Sequence, residues 1–82
     1  MVSRKFLMLD KIKKEYENAR TKYPPFNSTH EGYAVILEEV DELWQLVKAN
    51  KGLSASEEME RECIQIAAMA LAFILDLTII KK

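Results

Sequence analysis

Residues that form turns are scarce in this chain and fall at few positions. Two prolines and two glycines occur among 82 residues, at Pro24, Pro25, Gly32 and Gly52. Because proline and glycine are the strongest local signals for turns, the segments that Pro24-Pro25 and Gly52 separate are long and uninterrupted. This pattern favours a few long helices over many short strands, so the sequence predicts an all-α fold.

The first segment has the periodicity of an amphipathic helix. Its apolar residues recur at intervals of three and four positions, which places them on one helical face. They are Phe6, Leu9, Ile12, Tyr16, Ala19 and Tyr23. We predict a helix over residues 1–23, which the two prolines end because proline lacks an amide donor and restricts the residue before it.

A capping motif marks the start of the second helix. Ser28 and Glu31 form an S-x-x-E capping box, in which each side chain satisfies a free amide of the first turn. We predict a helix over residues 28–51, with Gly52 as a left-handed stop. The residues expected to be buried are Tyr33, Ile36, Leu37, Val40, Leu43, Trp44 and Val47.

The third helix is predicted over residues 55–80. The sequence Ser-Ala-Ser-Glu at residues 54–57 has the form of a second capping box. The apolar run that follows approaches the length of a membrane span, but Gln65, Asp76 and Thr78 interrupt it and aromatic anchors are missing. We therefore expect no membrane association and a helix covered by protein on nearly all sides.

The length of the chain predicts one domain, residues 1–82, and self-association. A chain this short buries a modest fraction of its surface, and the third helix is apolar around its whole circumference. Two other helices of the same chain hardly cover it. We expect a three-helix up-down arrangement with an antiparallel central helix pair, packed into a homodimer or homotetramer.

Charge is distributed unevenly along the chain, although the net charge is only −1. Residues 1–27 carry seven basic and three acidic side chains, whereas residues 28–62 carry three basic and nine acidic ones. An acidic middle attracts cations and repels nucleic acid, and basic residues on the outer face of an amphipathic helix are typical of solvated surface. We therefore expect no nucleic-acid partner.

The single cysteine and the N-terminus indicate the compartment. Cys63 has no internal disulfide partner, which fits a reducing environment, and its apolar neighbours predict a buried thiol. The first residues lack the apolar stretch and cleavage site of a secretory signal. A cytoplasmic location is expected.

Acidic residues of the second and third helices are spaced to share helix faces. Glu39 and Glu42 are three positions apart, and Glu38 and Glu42 are four apart, so their side chains lie along one edge of the second helix. Glu62 and Gln65 have the same relation on the third helix.

A short connection centred near Gly52 sets Glu42 opposite Glu62, and Glu39 opposite Gln65. Carboxylates that face one another repel unless a cation, a proton or a basic side chain compensates. Oxygen ligands alone favour a hard ion, Mg²⁺ or Mn²⁺. A solvated acidic stripe is the alternative interpretation, but Glu62 heads an otherwise apolar helix, where a polar group requires a partner.

These residues carry a resemblance to a known family. The run Glu-Glu-Val-Asp-Glu at residues 38–42, followed by Glu-Cys-Ile-Gln at residues 62–65, resembles the EExxE…ExxD motif of the all-α NTP pyrophosphohydrolases, the MazG-like superfamily. The likeness extends through residues 27–39 and 64–70 to the small phage and prokaryotic type. In place of the final aspartate this chain has Gln65, whose carbonyl oxygen is neutral.

The resemblance implies a Mg²⁺-dependent hydrolysis of a nucleotide to a nucleoside monophosphate and pyrophosphate. It implies that Glu39, Glu42 and Glu62 hold the metal, with Gln65 as a weaker ligand or a supporting group. Glu38 is the candidate for orienting or deprotonating the attacking water. The resemblance agrees with a dimer or tetramer, in which basic residues of a neighbour complete the phosphate pocket.

Two further residues are candidates for binding the substrate. Lys48 lies near the end of the second helix, within reach of a phosphate, although a cation there also interacts favourably with the helix dipole. Trp44 offers a surface for stacking a base, although it also fits a core position.

Other functions compatible with these residues are a non-catalytic helical oligomerisation or regulatory module and, among enzymes, phosphoribosyl-ATP pyrophosphohydrolysis. The flanking residues resemble the latter branch less, and Gln65 is the residue that discriminates between enzyme and non-catalytic module. The nucleotide that serves as substrate is not specified by the sequence.

Overall fold

The computed structural model describes residues 2–49 and 51–79, which form three α-helices. These are α1 (Arg4–Lys22), α2 (Thr29–Ala49) and α3 (Ser56–Leu77), and a short 3₁₀ turn, Gly52–Ala55, precedes α3. No strand occurs among the described residues, so the all-α prediction is confirmed. None of these helices combines the length and the apolar character that a membrane crossing requires. Helix α2 ends at Ala49, two residues before its predicted end at residue 51. The predicted end of the third helix, residue 80, lies outside the described residues.

The first predicted capping box is present at the start of α2. The amide of Glu31 donates to Ser28 Oγ at 3.1 Å, and the Glu31 carboxylate accepts from the amide of Asn27 at 2.7 Å. The carboxylate therefore reaches one residue further back than the motif implies. One amide of the first turn and one just before the helix are satisfied in this way, which sets the sharp start of the helix.

The second predicted capping box is wrong. Ser54 Oγ donates to the carbonyl of Lys51 at 2.7 Å, and no side chain caps the amides at the start of α3. Gly52, with φ of 58°, adopts the predicted left-handed conformation, but the chain then forms the 3₁₀ turn. This turn occupies Ser54 and Ala55 and delays the start of α3 to Ser56.

Helix α3 lies at the centre and packs against both α1 and α2. The buried apolar side chains of the described residues are small: Ala55, Ala68 and Ala72. Helix α2 approaches α3 closely at Gly32, where an added Cβ would lie 2.7 Å from Phe73 Cδ2 and 2.9 Å from Leu77 Cδ1. The small residues therefore let the helices approach closely, which confines the core to a thin layer.

The predicted buried face of α2 is wrong in most of its residues. The face that packs on α3 runs through Gly32, Ile36, Glu39, Leu43 and Leu46, which are buried or half-buried. Five residues expected in the core are at least 40% exposed instead. They are Tyr33, Leu37, Val40, Trp44 and Val47. Helix α2 thus has two apolar faces, and the close contact at Gly32 decides which of them meets α3.

The buried face of α1 is also rotated from the predicted one. Phe6, Leu9 and Tyr23 are more than half exposed, whereas Met8 is half-buried. Ion pairs accompany the rotation: Arg4 and Lys11 both contact the Glu60 carboxylate of α3, at 3.0 and 3.2 Å. Arg20 likewise pairs with Asp76 of α3, so part of the basic surface is paired and not merely solvated. The half-buried positions of α1 are 8, 12, 15, 16, 19 and 20.

Helix α3 is less completely covered than predicted. Cys63, expected to be buried, is exposed, and so are Ile74 and Leu75. Cys63 and Ile74 are eleven positions apart, so they lie on the same side of the helix. That side is turned away from the layer that Ala68 and Ala72 form with the neighbouring helices.

Candidate metal centre and adjoining cavity

Three glutamates from α2 and α3 come together at the predicted acidic cluster. One carboxylate oxygen from each of Glu39, Glu42 and Glu62 lies within 4.8 Å of the other two. Separations of this size are compatible with oxygen ligands arranged around a single hard cation, since oxygen–cation distances are about 2.0–2.6 Å. The fold thus brings together the three residues that the sequence analysis assigned to the metal.

Burial makes this cluster different from a solvated acidic stripe. Glu39 Oε2 and Glu62 Oε1 are both buried and find no hydrogen-bond partner among the described residues. An ionised oxygen that is removed from water without a donor or cation is costly. A divalent cation bound between these oxygens compensates that cost, so the donor set fits Mg²⁺ or Mn²⁺.

The pKa values of the cluster show the same electrostatic conflict. Burial, the adjacent carboxyl of Glu62 and the nearby negative charges raise the pKa of Glu39 from 4.5 to about 7. The adjacent carboxyl of Glu62 raises the pKa of Glu42 as well. Without a cation, the cluster therefore retains a proton near neutral pH.

Regular helical spacing positions the remaining members of the site. Glu62, Gln65, Met69, Ala72 and Asp76 follow one another at intervals of three or four positions, so they form one line along α3. A cavity of about 590 Å³ lies above this line, with Gln65, Met69 and Ala72 among its lining residues. Glu62 and Asp76 stand beyond its two ends along the helix.

The walls of the cavity come from α1, α2 and the segment between them. Glu38 and Glu39 of α2 line it near Gln65, whereas Pro24, Pro25 and Phe26 line it from the connecting segment. Glu38 itself is exposed, and its charge contributes to the raised pKa of Glu39. The cavity therefore adjoins the acidic cluster through Glu39.

Lys48 and Trp44 are not among the residues that line this cavity. The Lys48 ammonium lies 5.8 Å from the centre of the Trp44 ring, a cation–π contact on the exposed face of α2. The basic residues that do line the cavity are Arg20 and Lys22 of α1. The two predicted substrate-binding residues thus lie outside the cavity, and a lysine of the same chain lies beside it.

A second polar group, which the sequence analysis overlooked, closes the other end of the cavity. Arg20 donates to Tyr16 Oη at 2.9 Å through Nε and to both carboxylate oxygens of Asp76, one of them at 3.0 Å. Asp76 also accepts from the amide of Phe26 at 2.9 Å. In the sequence, Asp76 interrupts an apolar run, and an acid within such a run is itself a signal for a buried partner.

Comparison with known proteins yields no match for this chain. No family model matches it, and no curated protein or solved structure does so at a significant level.

Proposed function

We propose that this protein is a Mg²⁺-dependent nucleoside triphosphate pyrophosphohydrolase that releases a nucleoside monophosphate and pyrophosphate. The observation that carries the proposal is the pair of buried carboxylate oxygens, Glu39 Oε2 and Glu62 Oε1, which lack a hydrogen-bond partner among the described residues. The resemblance of residues 38–42 and 62–65 to the MazG-like motif supports the same activity. Clearing unwanted nucleotides is the role that we infer.

Each residue of the site has a role that follows from its place. Glu39, Glu42 and Glu62 supply oxygen ligands, and Gln65 adds a neutral carbonyl oxygen beside Glu39. A bound Mg²⁺ supplies charge neutralisation at the phosphates and a more acidic water. Glu38, exposed at the wall of the cavity, accepts a proton from the attacking water. Lys22 lines the cavity, whereas Lys48 does not.

Assembly is the second part of this proposal. We infer that α2 and α3 form an antiparallel pair within each chain, because Gly32 near the start of α2 contacts Leu77 at the end of α3. The exposed apolar residues of α2 alternate at intervals of four and three positions, as in helix–helix interfaces. They are Tyr33, Leu37, Val40, Trp44 and Val47. We propose that this face, and not α3, mediates a homodimer or homotetramer.

The enzymatic activity is tested by incubating the purified protein with canonical and modified dNTPs and either Mg²⁺ or Mn²⁺, and then measuring pyrophosphate. Pyrophosphate is expected with at least one substrate, and Glu39→Gln or Glu62→Gln is expected to lower the rate by about a hundredfold or more, because each removes a ligand charge. Glu57→Gln, an exposed acid in the first turn of α3, is the matched control and should leave the rate unchanged. Absence of turnover with every substrate would contradict the proposal.

A non-catalytic helical module is the second candidate function. Two observations favour it: the neutral Gln65 where the resembling motif has aspartate, and the exposed apolar face of α2. Under this function the protein associates through α2 but shows no turnover, and Gln65→Asp does not create any. Sedimentation of the wild type and of Val40→Glu tests the association, because a charge at a dry interface should shift the protein to monomers.

A further inference from the structure

The cavity between α1 and α2 has two chemically different ends. At one end, Glu38, Glu39 and Gln65 present oxygen atoms next to the acidic cluster. At the other end, the lining consists of the rings of Tyr16 and of the segment from Pro24 to Phe26. The Arg20 guanidinium lies over the Tyr16 ring, 4.7 Å from its centre, so a base stacks on the other face of this ring. The floor between them is formed by Met69 and Ala72.

The length of the cavity matches this division. Gln65 and Ala72 are seven positions apart on one face of α3, which corresponds to about 10 Å at a rise of 1.5 Å per residue. A ligand that spans the floor therefore places one part against the oxygen-rich end and another against the aromatic end. A nucleoside triphosphate has this two-part chemistry, with phosphates that bind a metal ion and a flat base that stacks on rings.

The aromatic end is held in place before any ligand binds. Asp76 accepts hydrogen bonds from Arg20 of α1 and from the amide of Phe26, so it joins α1, the Pro-Pro-Phe segment and α3. Only 9% of the Asp76 side chain is exposed, so this connection is shielded from water. A pre-formed wall lowers the entropy that ligand binding must overcome.

Tyr16 supplies a hydrogen-bonding group at this wall. Its oxygen accepts a hydrogen bond from Arg20 Nε at 2.9 Å, which leaves the phenol proton to donate to another acceptor. The two terminal nitrogens of Arg20 are engaged by Asp76. Arg20, which Asp76 holds in place, therefore fixes the orientation of Tyr16. A side chain that selects among ligands needs such a fixed orientation.

From these observations we propose that the cavity binds the nucleoside part of the substrate, with the base between Tyr16 and the Pro24–Phe26 wall and the phosphates toward Glu39. The proposal rests on the pyrophosphohydrolase function proposed above and adds the site of base recognition. It assigns the Tyr16 hydroxyl as a donor to an acceptor atom of the base. Trp44, on the outer face of α2, takes no part in this recognition.

Amide chemical-shift mapping of the ¹⁵N-labelled protein tests the proposal. The probes are α,β-imido dNTPs, which resist hydrolysis at the reacting bond, and inorganic tripolyphosphate, each with Mg²⁺. Both probes should shift amides near Glu39 and Gln65, and only the nucleotides should shift those of Tyr16, Ala19 and Phe26. Identical shifts from the two probes, or nucleotide shifts centred on Trp44 and Lys48, would overturn the proposal.

Two conservative variants strengthen the test without threatening the fold. Tyr16→Phe keeps the ring and should weaken nucleotide binding about three- to tenfold, since it removes one hydrogen bond, but should leave tripolyphosphate binding unchanged. Phe26→Leu should weaken nucleotide binding by a similar factor through lost stacking. Phe6→Leu, at an exposed residue of α1 that lines neither the cavity nor the α2 face, is the control. Equal effects of Tyr16→Phe on both probes would contradict a role in base recognition.

A titration with Mn²⁺ alone, followed by the broadening of amide signals, distinguishes the base site from the metal-dependent hydrolysis on which it rests. Broadened signals at Glu39, Glu42 and Glu62 without any nucleoside-specific shifts would overturn the base site but leave the metal centre in place. Nucleoside-specific shifts at Tyr16 and Phe26 without Mn²⁺ broadening would support the base site and contradict the metal-dependent hydrolysis.

Discussion

Arg20 of α1 and Asp76 of α3 form a two-pronged ion pair in which both terminal guanidinium nitrogens donate to the carboxylate. Asp76 has 9% and Arg20 25% of its side-chain surface exposed. Because this pair also holds the amide of Phe26, one carboxylate determines how α1 and the Pro-Pro-Phe segment lie on α3. Charge-assisted bonds of this geometry are stronger and more directional than exposed ion pairs.

Removing the carboxylate should therefore destabilise the fold. Asp76→Ala leaves the Arg20 guanidinium and the Phe26 amide without their acceptor, and we expect a loss of about 2–3 kcal/mol in the free energy of unfolding. Urea denaturation followed by circular dichroism measures it. The control is Asp10→Ala, which removes the ion pair with Lys14, where the side chains are 50% and 73% exposed. Its cost should stay under about 1 kcal/mol, and equal costs for the two variants would contradict the assigned importance of Asp76.

The same carboxylate should make the protein sensitive to acid. Hydrogen bonds from Arg20 hold the pKa of Asp76 below its ordinary value of 3.8. The unfolded chain therefore takes up a proton at a higher pH than the folded chain, so the stabilisation is complete above about pH 5 and is lost as the pH falls through 3.8 and below. The stability difference between wild type and Asp76→Asn should shrink between pH 6 and pH 3. A constant difference across this range would argue against the lowered pKa.

The acidic cluster should produce the opposite pH dependence when no divalent cation is present. The pKa of Glu39 is raised from 4.5 to about 7, so between these values the folded chain holds a proton that the unfolded chain has released. The contribution of Glu39 to stability therefore falls as the pH rises through this window. In EDTA, Glu39→Gln should be the more stable protein at pH 8, and its advantage should decrease toward pH 5.

Addition of Mn²⁺ at pH 8 should reverse that order, because a cation that binds only the folded state stabilises it by mass action. The wild type should gain melting temperature, whereas Glu39→Gln should gain little. Glu57→Gln should respond as the wild type does, since Glu57 lies in the first turn of α3, away from the cluster. A gain of equal size in Glu39→Gln would show that the ion binds elsewhere.

The contact at Gly32 predicts that a single methyl group there is harmful. Alanine is normally the better helix former, by about 1 kcal/mol, but its Cβ at position 32 would lie 2.7 Å from a ring carbon of Phe73. We expect Gly32→Ala to lose about 1–2 kcal/mol of stability from overpacking. Gly52→Ala should also be destabilising, by about 1 kcal/mol, but through backbone strain at its φ of 58° and not through contact, since nothing lies within 4 Å of its Cβ.

Combining Gly32→Ala with Phe73→Leu distinguishes these causes. Leucine at position 73 should restore part of the stability that Gly32→Ala loses, because the two residues are in contact and their effects are not additive. It should restore none of the stability that Gly52→Ala loses. Thermal denaturation of the single and double variants gives the comparison. Strict additivity with Gly32→Ala would show that Phe73 is not the residue that is crowded.

Local sequence determined the helices and the composition of the cluster. The prolines after Tyr23, the capping box at Ser28 and Glu31 and the left-handed Gly52 act through neighbouring atoms, so they predict the division into three helices. Helical geometry and a short connection between the helices were enough to predict that Glu39, Glu42 and Glu62 come together. The capping box predicted at residues 54–57 does not form, because the 3₁₀ turn includes Ser54 and Ala55.

Only the tertiary structure decided which face of each helix meets α3. Helix α2 carries two apolar faces, and periodicity does not choose between them; the contact of Gly32 with Phe73 does. The side of α1 that meets α3 carries ion pairs to Glu60 and Asp76, partners about fifty residues away in the sequence. Helical rotation depends on such distant contacts because every face of an isolated helix satisfies its backbone hydrogen bonds equally. The cavity between α1 and α2 follows from these rotations, so it too was beyond the reach of the sequence.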